Sequence, residues 1–176
     1  SVVKLNTNEH AFEPPASVMA AIAQVQADQL RRYPDPLAID LRKAIAEAEG
    51  LSAEQVFVGN GSDEVLAHSW LACISGRTVQ TLDTTYGFYP VWADLYDSPL
   101  IEVPLNSDFS VDIEALCGSS HPVVLANPNA PTGIALSAGE IESLASSNRD
   151  RLVIIDEAYH GFGAETAAPL VDQYDN

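Results

Sequence analysis

Apolar positions along the chain alternate between two patterns: residues spaced at helical intervals and short unbroken runs. Pro14-Pro15 opens a segment in which Val18, Ile22 and Val25 form one stripe, which predicts a helix to about Leu30 with proline at its start. Arg31-Arg32-Tyr33-Pro34-Asp35-Pro36 breaks it. Leu37, Leu41, Ile45 and Ala48 then predict a second helix, ended by Gly50. Val56-Phe57-Val58, Thr78 to Leu82, Leu100 to Val103, Pro122 to Ala126 and the run from Leu152 on read as strands. Helical segments lie between them: Val65 to about Ile74, the aromatic-rich Tyr86 to Tyr96, Asp112 to Leu116, and a stretch presenting Ile141, Leu144 and Ala145. The last is opened by the capping-box spacing of Ser137 and Glu140. Strands alternating with helices predict an α/β fold, a three-layer sandwich around a mainly parallel sheet.

The run Arg151-Leu152-Val153-Ile154-Ile155-Asp156-Glu157-Ala158-Tyr159 carries the first chemical signal. Its apolar part reads as a strand buried on both faces. Asp156 then stands at the carboxyl end, where open α/β sheets bind ligands. A carboxylate there calls for a cation, and a ligand with a protonated ring nitrogen would supply one. Asp156 as a simple cap of the following turn is the alternative. A magnesium-binding strand would need a Gly-Lys phosphate loop upstream, and the chain has no Gly-Lys pair. Glu157 and His160 have E-x-x-H spacing, but no second such pair accompanies them, so a di-metal site is not expected.

Composition narrows the partners. The chain has 176 residues, 47% of them apolar, enough for one domain with a core. Acidic residues outnumber basic ones 25 to 8, for a formal charge of −17, which argues against nucleic acid and anionic membrane surfaces. An anionic ligand must then be held by backbone dipoles and a few arginines. Cys73 and Cys117 are isolated and read as core thiols in a reducing, cytoplasmic setting. No apolar run is long enough to cross a bilayer.

Three further segments could bind a ligand. Gly59-Asn60-Gly61-Ser62-Asp63-Glu64 follows a strand and opens a helix, the geometry of an anion site. Ser62 and the backbone are expected to face the anion, and the two carboxylates to turn aside; a plain N-cap and turn is the alternative. Thr85-Tyr86-Gly87-Phe88-Tyr89-Pro90 could offer a ring to a planar heterocycle, or simply pack in the core. Asn127-Pro128-Asn129-Ala130-Pro131-Thr132-Gly133 is a dense turn that could present an amide.

In this order, GNGSDE, TYGFYP, NPNAPTG and DEAY, the segments resemble the large domain of the fold type I pyridoxal-phosphate aminotransferases, most of all the histidinol-phosphate aminotransferase family. Leu5-Asn6-Thr7-Asn8-Glu9 and Arg32-Tyr33-Pro34-Asp35 are similar to that family's amino-terminal segment and Tyr-Pro signature. The resemblance runs from about Leu5 to Phe162. It implies a pyridoxal 5′-phosphate cofactor, with Asp156 on the pyridine nitrogen, Tyr159 on the ring 3-oxygen, Ala158 under the ring and Tyr86 stacked on the other face. Backbone amides of Ser62 and Asp63 would hold the phosphate, joined by Tyr33 from the neighbouring subunit of a homodimer. Asn8, Glu9 and His10 would lie near the substrate. Residues 1–36 would be an arm and helix, and 37–176 part of the cofactor-binding domain.

The implied reaction moves an amino group between glutamate/2-oxoglutarate and histidinol phosphate. Rivals are an aromatic aminotransferase, a threonine-phosphate decarboxylase-like enzyme, and a catalytically dead cofactor-binding module. Two departures stand out. The family's second loop asparagine is Ala130 here, so Asn129 is expected to take over its contact with the ring 3-oxygen. The family's Schiff-base lysine lies downstream of the Asp-x-Ala-Tyr strand, whereas the chain's lysines are Lys4 and Lys43. The chain alone is therefore expected to be inactive and poorly stable without a carboxy-terminal half, with the strand at Val56 lacking neighbours.

Overall fold

A computed structural model of the chain describes residues 3–4 and 8–176. Leu5, Asn6 and Thr7 of the expected arm lie outside the described residues. The chain divides into two compact units, Ser1–Ala38 and Ile39–Asn176.

In the first unit the single expected helix is two. Helix α1 spans Ala16–Ala23, and α2 spans Ala27–Leu30. Between them the backbone of Gln26 is extended, and its amide is taken by Gln29 Oε1 at 2.7 Å. That reciprocal side-chain cap starts a new helical turn, so the apolar stripe does not run through. Val18, Ile22 and Val25 are exposed.

The second unit is a three-layer α/β sandwich. Its sheet has four parallel strands, β1 (Val79–Leu82), β2 (Leu100–Val103), β3 (Val123–Ala126) and β4 (Val153–Asp156), in the order β2-β1-β3-β4. Val79 to Leu82 pair in register with Leu100 to Val103, and Val123 to Ala126 with Val153 to Asp156. The expected parallel sheet is thus present. Helices α3 (Ile39–Glu49), α4 (Ser62–Ser69), α5 (Tyr89–Leu95), α6 (Ile113–Cys117) and α7 (Ala138–Ser147) complete the unit.

Alternation along the strands sends side chains to two cores. Val79, Val124 and Ala126 pack with Leu66, Trp70 and Ile74 of α4 and the turn after it, and with Tyr89 and Ala93 of α5. Leu82, Val123 and Leu125 pack on the other face with Leu116 of α6 and with Ile141 and Leu144 of α7. Alpha4 continues into one wider turn, where Ser75 N bonds Trp70 O at 2.9 Å. Helix α5 starts at Tyr89, later than its aromatic pattern suggests. Pro90 has no N–H to return to Tyr86, so the preceding residues form only a turn. Ser137 and Glu140 form the expected capping box.

Two expectations fail. Val56-Phe57-Val58 has no neighbour among the described strands, as expected, but it does not form a strand at all, and Phe57 is 64% exposed. A strand needs a ladder partner as well as a suitable composition. Cys73 is exposed rather than in a core, because the wider turn after α4 points it outward; Cys117 is half-buried.

Arg151 is wholly buried and ties the layers together. Its guanidinium donates to Leu116 O at 2.5 Å and Ser119 O at 3.1 Å, and to Leu144 O at 2.8 Å and Ser147 Oγ at 3.0 Å. These acceptors cluster at the carboxyl ends of α6 and α7, where the helix dipole favours a cation. Among the described residues the charge is spread over three carbonyls and a hydroxyl rather than paired with a carboxylate.

Candidate active site

The strand order reverses between β1 and β3. The loops leaving the carboxyl ends of β1, β3 and β4 therefore open a crevice, the usual ligand position in such sheets. A cavity of about 160 Å³ lies there, lined by Ser62, Asp63, Tyr86, Ala126, Pro128, Ala130, Asp156, Ala158 and Tyr159. Six residues singled out from sequence thus meet around one space: Ser62, Asp63, Tyr86, Asp156, Ala158 and Tyr159.

At the inner end, β4 delivers the half-buried Asp156. Its Oδ2 accepts a hydrogen bond from Tyr89 Oη at 3.1 Å, and its Oδ1 from Ala158 N at 3.2 Å. Among the described residues Asp156 forms no ion pair. Tyr89 was not assigned a role from sequence. Its hydroxyl is pushed well above its ordinary range, first by burial and then by the Asp156 charge, and stays a donor.

At the outer end, Gly61 precedes α4 with φ +84°, a conformation that glycine alone adopts without strain. The first amides of α4, those of Ser62 and Asp63, have no acceptor within the helix. The two neighbouring carboxylates are turned aside. Asp63 Oδ1 accepts from Tyr86 Oη at 2.9 Å, and Glu64 Oε2 from Asn60 N at 2.5 Å. A Cβ on Gly59 would lie 2.9 Å from Glu64 Oε2, so the bare glycine leaves room for that carboxylate to fold back. Burial and then Asp63 push the Tyr86 hydroxyl up to about 12. The Tyr86 ring is held edge-on by Tyr89 at 5.6 Å and stacked by Phe88 at 5.9 Å.

The floor is made of small groups: Ala126, Pro128, Ala130 and Ala158. Asn129 does not join them, which corrects the expectation that its amide replaces the one absent at Ala130. It is buried, donates from Nδ2 to Thr84 O at 2.9 Å and to Thr132 Oγ1 at 3.1 Å, and accepts from Thr85 Oγ1 at 2.9 Å. Both of its amide protons are used, one across to the loop after β1 and one within its own loop.

Glu157 points away from the crevice and bonds Thr166 Oγ1 at 2.7 Å and Ala167 N at 2.5 Å, a structural clamp. Among the described residues no group of His, Cys, Asp and Glu could hold a metal ion, and no helix is long and apolar enough to cross a membrane. Asn8, Glu9, His10 and Tyr33 belong to the amino-terminal unit and are exposed. Glu9 pairs there with Lys4 at 2.5 Å.

The model of the family "Aminotransferase class I and II" matches residues 1–176. The chain belongs to the class I and II aminotransferases. Within this family it is 52% identical over 176 residues to histidinol-phosphate aminotransferase 1 of Bradyrhizobium diazoefficiens, covering 99% of this chain and 50% of that protein. It is 50% identical over 176 residues to histidinol-phosphate aminotransferase 2 of Gluconobacter oxydans, with coverage of 99% and 50%. Among solved structures, histidinol-phosphate aminotransferase from Sinorhizobium meliloti in complex with pyridoxal-5′-phosphate superposes with a TM-score of 0.75 at 31% identity, over 86% of this chain and 43% of that one. The aminotransferase chain spans about half the length of the curated relatives it matches.

The cavity fits the cofactor bound in that relative. An aromatic ring and a floor of small residues leave room for a planar ring. A carboxylate at one end suits a protonated ring nitrogen, and free helix amides at the other suit an anionic tail.

Proposed function

We propose that the full-length protein is a pyridoxal-phosphate-dependent aminotransferase. It would exchange an amino group between glutamate/2-oxoglutarate and histidinol phosphate, in the cytoplasm and as a homodimer. The observation that carries this reading is the convergence of Asp156, Tyr86 and the start of α4 on one small cavity at the strand ends. The names of relatives near 50% identity support the substrate.

Bound there, the cofactor supplies an electron sink for carbanion chemistry at the amino-bearing carbon. Asp156 keeps the ring nitrogen protonated by holding a negative charge beside it. Tyr86 would hold the ring by stacking, and Ala158 would leave room for it. Tyr159 donates to the ring oxygen, and the amides of Ser62 and Asp63 hold the phosphate. Ala130 places a methyl group where the family has an amide, so Tyr159 carries the ring oxygen without that second donor. By resemblance to the family, Tyr33 of the partner subunit would bind the phosphate, and Asn8, Glu9 and His10 would take part in substrate binding.

The test is turnover by the full-length protein loaded with pyridoxal phosphate, using histidinol phosphate, aromatic amino acids and threonine phosphate in parallel. A kcat/KM for histidinol phosphate at least 100-fold above the others is expected. Transamination of the aromatic amino acids alone would overturn the substrate, and absence of any cofactor uptake would overturn the reading.

A further inference from the structure

Asp156 is half-buried at a strand end, and rotation about its last side-chain bond is broad and easy. A carboxylate free to rotate would present its charge to the cavity only part of the time. Two donors prevent this. Ala158 N comes from the same turn and takes Oδ1 at 3.2 Å. The other donor, Tyr89 Oη, comes from a helix 67 positions earlier and takes Oδ2 at 3.1 Å.

Tyr89 is well placed to fix a direction. It is wholly buried, and its ring is held by Trp70 at 6.1 Å and by Tyr86 edge-on at 5.6 Å. Its hydroxyl meets Asp156 from the core side. With one donor on each oxygen, the remaining acceptor positions of the carboxylate are left for a group in the cavity.

We propose that Tyr89 is a positioning residue of the cofactor site, its buried hydroxyl orienting the Asp156 carboxylate toward a protonated ring nitrogen in the cavity. The inference rests on the reading of that cavity as a pyridoxal-phosphate site.

The experiment is a double-mutant cycle in the full-length protein, read as the dissociation constant of pyridoxal phosphate and as the melting temperature of the cofactor-free protein. Tyr89→Phe keeps the ring and removes the hydroxyl. It should weaken the cofactor about tenfold, the scale of one hydrogen bond to a charged group, and shift the melting temperature by no more than a few degrees. In an Asp156→Ala background the same change should alter the dissociation constant less than twofold, because its only route to the cofactor is gone. Trp70→Phe loosens the packing around Tyr89 but keeps the hydroxyl. It should lower the melting temperature and weaken the cofactor less than Tyr89→Phe does.

An unchanged dissociation constant in Tyr89→Phe overturns the proposal. So does an equal loss in both backgrounds, or a Trp70→Phe loss as large as that of Tyr89→Phe, since either makes the effect one of packing. Wild-type protein that fails to take up the cofactor overturns the reading of the site itself, and the inference with it.

Discussion

The cavity and its wall hold the same chemical pair twice, a tyrosine hydroxyl donating to an aspartate, in two different settings. Tyr89 and Asp156 meet at 3.1 Å between a buried helix start and a strand end. Tyr86 and Asp63 meet at 2.9 Å between a loop and the exposed first turn of a helix. In the first, every atom is fixed by the sheet and its core, so the bond sets a direction. In the second, Asp63 could turn to water at little cost, so the bond acts mainly to draw a carboxylate away from an anion site. Burial decides how much a hydrogen bond can specify. The comparison predicts large effects on ligand binding at the sheet end and small ones at the helix end.

The largest expected effect is therefore at Asp156. Among the described residues, Asp156→Ala removes the only carboxylate at the inner end of the cavity. Losing one partner of a hydrogen-bonded charge pair costs about 2 kcal/mol or more, so cofactor affinity should fall about 30-fold or more. Fluorescence titration of the full-length protein measures this, and a loss under threefold would mean that the sheet end does not hold a cation.

Next is Gly61→Ala. No atom lies within 4 Å of the added Cβ, so the penalty is backbone strain at φ +84°, about 1–3 kcal/mol. The urea midpoint should fall with an unchanged slope. An unshifted midpoint would show that the start of α4 relaxes freely, and that its amides are not held in place for an anion.

Much of this arrangement was legible in the sequence. Continuous apolar runs marked β3 and β4, whereas β1 carries Gln80 and Thr81 and the edge strand β2 carries Glu102 within their apolar stretches. Gly61 and the Ser137–Glu140 box marked helix starts through local rules that act within a few residues. What was missed depends on partners far away in the chain. Tyr89 is an unremarked aromatic until the fold brings Asp156 to it. Arg151 reads as a flanking charge, yet its acceptors are mainly carbonyls, which every residue has and which no sequence pattern announces. Val56-Phe57-Val58 has strand composition but finds no ladder partner among the described strands. Asn129 was misread for a related reason. Its amide is consumed by Thr84 O, 45 positions earlier in the loop after β1, as well as by Thr132 in its own turn, and only the fold brings Thr84 to it.

At the helix end the expected effects are smaller. Asp63→Ala should change cofactor affinity by no more than about threefold, because an exposed hydrogen bond contributes about 0.5–1 kcal/mol. It should, however, move the titration of Tyr86. That hydroxyl is raised to about 12 by burial first and by Asp63 second, so removing Asp63 should bring it part of the way back toward 10. Ultraviolet difference titration reads this directly, with Tyr86→Phe to assign the signal. The same shift has a consequence for stability. Between pH 10 and 12 the unfolded chain has lost this proton and the folded chain retains it, so stability from this group is complete below pH 10 and falls as pH rises toward 12. With Asp63 gone the window narrows, and the urea midpoints of wild type and Asp63→Ala should converge as pH is raised through that range. Midpoints that stay parallel would mean that Tyr86 does not donate to Asp63 in solution, and the contrast between a buried pair that orients and an exposed pair that merely diverts a charge would lose its second member.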